Sequence, residues 1–170
     1  LAAQREAFTL ARLVRRCDAA GLLETGGMRP GGAGGRLLEA TCLQGVKKLA
    51  PRSRVRIRRE PAFCHTPDLA RLEQGTVALF FLRRERQAGG HYRLLPGGFV
   101  AGDERLAAAA AALAGAGGGK RLTALLTAQL SHPLRRVRDD AVLALYRQPA
   151  PALRPRRKAV ARALAEPLAE

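Results

Sequence analysis

A chain of 170 residues suits one medium domain, or a small domain with an appendage. Its 47% hydrophobic content excludes a disordered chain, and only 4% aromatic content means that the core must be mostly Leu, Val and Ala. The formal net charge of +16 favours anionic partners: nucleic acid, acidic lipid headgroups, polyanionic sugars or an acidic protein. The basic residues are nearly all Arg, beside abundant Ala, Gly, Leu and Pro. GC-rich codons supply that same set, so charge alone does not select a ligand. No apolar run reaches the roughly 18 residues of a transmembrane helix, so none is expected. The three cysteines are Cys17, Cys42 and Cys64. Their odd count argues against a disulfide framework and leaves two arrangements open, three buried free thiols or one bridge between Cys42 and Cys64.

Residues 3–17 have helical spacing, with Ala7, Leu10, Ala11, Val14 and Cys17 on one side and Arg5, Arg12, Arg15 and Arg16 on others. The apolar stretch from Asp18 to Glu24 suits a first strand. Residues 26–35, GGMRPGGAGG, hold too much glycine for a helix or strand interior and predict a flexible hairpin loop. A second strand runs from Leu37 to Leu43, with Leu38, Ala40 and Cys42 on one face and Glu39 and Thr41 on the other.

The run SRVRIRRE alternates strictly, placing Val55 and Ile57 inward and Arg54, Arg56 and Arg58 outward. Residues 60–75 contain Pro61, Pro67 and Gly75 and predict a long connection. TVALFFLRR, residues 76–84, is the most apolar strand and is expected to be central. Residues 91–95, HYRLL, return as its hairpin partner after the turn at Ala88-Gly89-Gly90.

From Asp103 the pattern becomes helical. The alanine run 107–112 favours helix, and Gly115 to Gly119 breaks it. A second helix spans Lys120–Leu130, with Leu122, Leu125, Leu126 and Leu130 on one side. His132-Pro133 is a helix boundary. A third helix spans Leu134–Tyr146 with Val137, Ala141, Val142 and Leu145 as its buried stripe, and a short basic helix spans Pro155–Ala165. Helix, strands, then helices indicate an α+β architecture, divided as residues 1–102 and 103–170.

Two resemblances add to this reading. Over residues 10–100, the succession LARLVRRCDAAGLLE, a Gly-rich loop, LLEATCLQGVKK, SRVRIRR, LEQGTVALFFLRR and HYRLLPGGF resembles secreted bacterial domains of the TIMP/netrin-like oligonucleotide/oligosaccharide-binding (OB) class. Asp18, Gly45, Gly75, Leu79, Phe81, Leu82 and Tyr92 stand at the positions of that pattern. The resemblance implies a five-stranded OB-like β-barrel preceded by a short helix and followed by a small α-helical segment. It also implies export, to the periplasm or outside the cell. The N-terminal cysteine whose amino group chelates a protease zinc is missing, so metalloprotease inhibition is not implied. Over residues 120–147, LTALLTAQLSHPLRRVRDDAVLALYR resembles one HEAT repeat, carried by Val137, Arg138, Asp140, Ala141 and Leu145. A lone repeat cannot bury both faces, so this pair is expected to pack on the barrel or on a partner.

The sequence predicts no enzyme and no cofactor. Cys64 and His65 are neighbours and point to opposite sides of an extended segment. His65, His91 and His132 lack zinc-type spacing, so no metal site is expected. GAGGGKR, residues 115–121, lacks the Ser or Thr and the preceding strand of a phosphate loop. Asp103-Glu104 and Asp139-Asp140 are expected to be helix-start and solvated-face residues.

The one candidate binding site is basic. Arg54, Arg56 and Arg58, with Arg83 and Arg84 nearby and Tyr92 as the only stacking aromatic, are the candidate residues for an anion or nucleic acid. Two functions follow. The first is a protein-interaction or structural module, binding another protein or itself within a larger assembly. The second is a single-stranded nucleic-acid-binding OB protein that uses the arginine strand.

Overall fold

The computed structural model describes residues 8–31, 35–59, 69–85 and 90–148, together with Lys158 and Ala161. Among these residues the chain is α+β, with five strands in one sheet and four helices. Helix α1 (Leu10–Arg16) leads into strands β1 (Ala19–Pro30), β2 (Arg36–Lys47) and β3 (Arg54–Arg58). A 3₁₀ turn at Leu69–Arg71 precedes β4 (Val77–Arg84) and β5 (Tyr92–Ala101). Helices α2 (Glu104–Ala116), α3 (Gly119–Gln129) and α4 (Arg135–Tyr146) follow.

β1 pairs antiparallel with both β2 and β4. β2 pairs antiparallel with β3, and β5 with β4. β3 and β5 run parallel, joined at Ile57–Tyr92 and Arg58–Arg93. The sheet therefore closes on itself in the order β1-β2-β3-β5-β4, and each strand has two partners.

The alternation of β4 explains why its sequence is apolar from Val77 to Leu82. Ala78, Phe80 and Leu82 point into the closed sheet, where they meet Leu23, Leu38 and Ile57. Leu79 and Phe81 point outward into a second cluster with Leu22, Leu95 and the helices. Both faces are dry from Ala78 to Leu82, so period-two polarity is absent there. Phe80 and Phe99 meet edge-to-face with centroids 5.3 Å apart. The outer cluster joins α1 to α2, α3 and α4, so one core crosses residue 102. α2 lies on β2 and β1, while α1 touches α2 and α4.

Several boundaries differ from the sequence expectation, each for a local reason. α1 begins at Leu10, because Thr9 is extended (φ −61°, ψ 147°); residues 3–7 of the predicted helix lie outside the described residues. β1 does not stop at the glycines. Its register moves from Thr25–Ala40 to Met28–Leu38, so Gly26 and Gly27 together face Glu39 as a bulge. β2 continues to Lys47 because Gly45 has no Cβ to strike the Leu49 carbonyl. β5 extends past Pro96 because residues 95–98 bulge opposite Phe81. Gly97 has φ +67°, and the Phe8 ring fills the space a side chain there would need. Residues 60–68 of the predicted connection lie outside the described residues, as does the predicted 155–165 helix apart from Lys158 and Ala161, both helical.

The Asp103 carboxylate caps α2 by accepting from the Arg105 and Leu106 amides, as its helix-start position implies. α2 ends at Gly117, φ +65°. Leu122, Leu126 and Leu130 of the α3 region and Val137, Ala141 and Leu145 of α4 are buried. Asp139 is exposed and pairs with Arg135 at 3.7 Å. Asp140 corrects the expectation of a solvated face: it is buried, because its side of α4 turns onto the start of α1. Cys42 is a buried free thiol, which removes the bridged arrangement, and Cys17 is also buried and free. Cys64 lies outside the described residues.

Candidate anion-binding surface

β3 presents Arg54, Arg56 and Arg58 outward because Val55 and Ile57 fill the interior. Two of the three meet acids. Arg56 Nε is 3.9 Å from Glu39 Oε1, and Arg58 Nη1 is 3.6 Å from Glu85 Oε1. Glu39 also accepts from Arg29 Nε at 2.9 Å. The pairs on Glu39 are largely exposed and contribute about 0.2–1 kcal/mol, so an external anion can displace them at little cost, whereas Glu85 is mostly buried and holds Arg58 more firmly.

The six residues predicted for the site fall into two groups. Arg83 joins the β3 face through β5: Arg58 is beside Arg93, and Arg93 is beside Arg83. With neighbouring strands roughly 4.8 Å apart, three arginines cross three strands within roughly 10 Å. Arg84 and Tyr92 pair with each other at the end of β4 and β5. Tyr92 also faces Ile57 and packs partly against the interior cluster. These two residues, with Asp18, Lys48 and Glu85, line a cavity of about 600 Å³ at the mouth of the closed sheet. The Asp18 carboxylate there accepts from the Arg84 amide at 2.9 Å. Tyr92 is thus separated from the outward arginines that it was expected to serve.

Residues that the sequence reading left out extend the outward surface. Arg93 is brought in by the parallel β3–β5 pairing, which no local pattern announces. Arg16 stands beside Arg83 and Arg93 around a pocket of about 300 Å³ with Phe8, Leu95 and Pro96. Arg16 also lines a cleft of about 440 Å³ together with Arg12, Arg15 and Arg147, over Leu122 and Leu126. The signal for this cleft was present in RLVRR: positions 12, 15 and 16 fall on one side of a helix.

α1 is fixed at both ends. Its C-terminal carbonyls of Val14 and Cys17 accept from Lys47 Nζ at 2.9 and 2.7 Å. Its first amide, of Leu10, donates to Asp140 Oδ2 at 2.9 Å. Burial pushes the Asp140 carboxyl above the ordinary carboxylate range, and the Arg136 guanidinium and the Leu10 amide pull it back in part. Burial likewise raises the Cys17 thiol, against the Lys47 ammonium, and the Cys42 thiol, against a hydrogen bond with Ser53. Thiols held protonated in this way are poor nucleophiles.

Among the described residues, no group of three or more His, Cys, Asp and Glu side chains is placed to hold a metal ion. No helix among them is long and apolar enough to cross a membrane. Comparison with family models, with curated proteins and with solved structures finds no match to the chain.

Proposed function

We propose that the chain is a non-enzymatic interaction module that binds another protein through its basic surface, built on an OB-type barrel of the netrin-like kind. The strand order β1-β2-β3-β5-β4, closed and with β3 parallel to β5, supports the barrel assignment by fitting a five-stranded Greek-key barrel. α3 and α4, joined through Pro133, fit the lone HEAT-like pair, which leans on α1 and α2. The export that the netrin-like resemblance implies belongs to the same proposal.

The observation that carries the protein-binding reading is the pairing of the β3 arginines with carboxylates. On β3, Arg56 meets Glu39 and Arg58 meets Glu85, while Phe80 and Phe81 are fully buried and Phe99 packs against the interior; the Phe8 ring beside Arg16, Arg83 and Arg93 is taken up covering Gly97. Guanidinium groups without stacking platforms favour carboxylates over nucleobases. The test is affinity capture with the full chain from its native source, before and after nuclease treatment. A polypeptide partner retained after nuclease supports the reading. Retention that disappears with nuclease, or no retained polypeptide, overturns it.

The row Arg58, Arg93 and Arg83 across adjacent strands favours a second reading, single-stranded nucleic-acid binding along the sheet. Binding to an oligothymidylate across a salt series tests it. Neutralising several phosphates makes affinity fall steeply with salt, and a flat or absent response sinks this reading.

A further inference from the structure

We infer that the cleft between α1 and the α3–α4 pair is the docking site for an acidic, amphipathic polypeptide segment. This inference rests on the protein-binding reading above. The cleft is about 440 Å³, within the size range of sites that take a few side chains. Its floor is apolar, from Ala11, Leu122, Leu126 and Ala144, and its rim is basic, from Arg12, Arg15 and Arg16. A ligand that fits must offer apolar side chains flanked by negative charge.

Charge and shape select among anionic amphiphiles. A second copy of the chain carries the same +16 charge, so charge complementarity is against it. Nucleobases require aromatic platforms, and no aromatic residue among the described residues lines this cleft. A membrane surface is met by protruding apolar side chains. Here the leucines lie beneath the arginine rim, with Leu122 9% and Leu126 2% exposed. A polypeptide can lower Leu or Val side chains to that floor and set Asp or Glu against the rim. Carboxylates are the anions that guanidinium forks bind in two-point geometry. Helix-in-groove docking supplies this pattern, with apolar anchors at i, i+3, i+4 and acids beside them.

The test is fluorescence anisotropy of the full chain with a fluorescein-labelled acidic peptide of about 15 residues, Leu at helical spacing and Glu elsewhere. R15E/R16E changes two exposed rim residues, and R54E/R56E changes the β3 face as a control. The expected result is binding by the parent protein, a loss of about tenfold or more in R15E/R16E, and little change in R54E/R56E. The neutral variant R15Q/R16Q, checked for an unchanged thermal melt, shows an intermediate loss if the cleft binds the peptide. Binding that survives R15E/R16E in a folded protein overturns the cleft assignment and leaves the protein-binding reading in place. No peptide binding, with oligothymidylate bound instead, overturns both. No peptide binding, with sedimentation on phosphatidylglycerol-containing vesicles, also overturns both and makes the cleft a lipid contact.

Discussion

The backbone amide of Leu10 donates to the Asp140 carboxylate at 2.9 Å, across 130 positions of chain. Leu10 is the first residue of α1, and the cap position before it, Thr9, makes no side-chain capping bond. Asp140 therefore satisfies one of the amides that a helix start leaves open, from a different helix. Arg136, one turn earlier on α4, donates to the same carboxylate at 3.2 Å and to the Phe8 carbonyl at 3.2 Å. α4 thus clamps the chain on both sides of Thr9 and fixes where α1, with its row of arginines, begins.

Replacing Asp140 tests this clamp. Asp140→Ala leaves the Leu10 amide without its acceptor and takes one acceptor from the Arg136 guanidinium, which keeps the Phe8 carbonyl. The expected loss is about 2–3 kcal/mol, at the lower end of values for a broken buried pair because Arg136 is partly exposed. Asp140→Asn keeps an oxygen for the Leu10 amide and is expected to lose about 1 kcal/mol. Urea unfolding of the three proteins at neutral pH measures both. Equal losses for Ala and Asn would show that the amide acceptor is not what matters.

The pH dependence of the same residue follows from its surroundings. Burial holds the folded carboxyl above its ordinary value of 3.8. Between that value and the raised one, the folded state keeps a proton that the unfolded state has lost. Stability from this group is therefore greatest at low pH and falls as pH rises through that window. The stability of the parent protein minus that of Asp140→Asn should decrease as pH rises above 3.8 and then level off. A difference that stays flat, or rises, contradicts the burial-dominated environment.

The two described thiols should be silent in the native state. Cys17 is 3% exposed and Cys42 is fully buried, and burial raises both above 9.0. In a Cys64→Ser protein, Ellman's reagent near pH 8 is expected to find neither thiol before unfolding and both in guanidinium. Rapid modification of Cys17 in native protein would mean that the layer between α1 and the sheet opens easily, and rapid modification of Cys42 that the closed sheet itself does.

What the sequence made legible was what short-range periodicity encodes. The alternation of Val55 and Ile57 with three arginines needs only a strand, and β3 follows it. The apolar stripes at Leu122, Leu126 and Leu130, and at Val137, Ala141 and Leu145, need only a helix. The rest depends on partners far away in the chain. Gly26 and Gly27 stay in a strand because Glu39 stands opposite both, and glycine density alone argues for a loop. Asp139 and Asp140 are the same residue type, but Asp140 stands three positions from Val137 on the buried side of α4, where it meets the start of α1, and Asp139 stays in water. In the candidate site the same division holds. The outward arginines of β3 were legible, whereas Arg93 entered through a parallel pairing and Tyr92 left through its inward register.

Lys47 joins the stability of α1 to the surface it carries. Its ammonium is part-buried and donates to two carbonyls at the end of the helix, where the helix dipole is negative. Lys47→Met keeps most of the side-chain volume and removes both bonds. The expected loss is about 1–2 kcal/mol in urea unfolding. Because α1 is only seven residues long, its last turn has little support of its own and should open locally in the variant. Hydrogen exchange of the Cys17 amide, which bonds to the Leu13 carbonyl at 3.0 Å, should then be faster while amides in β4 change only in proportion to global stability. The same opening displaces Arg15 and Arg16, so affinity for the acidic peptide should fall although no rim residue has changed. An unchanged affinity beside faster exchange would mean that the rim does not depend on an ordered last turn.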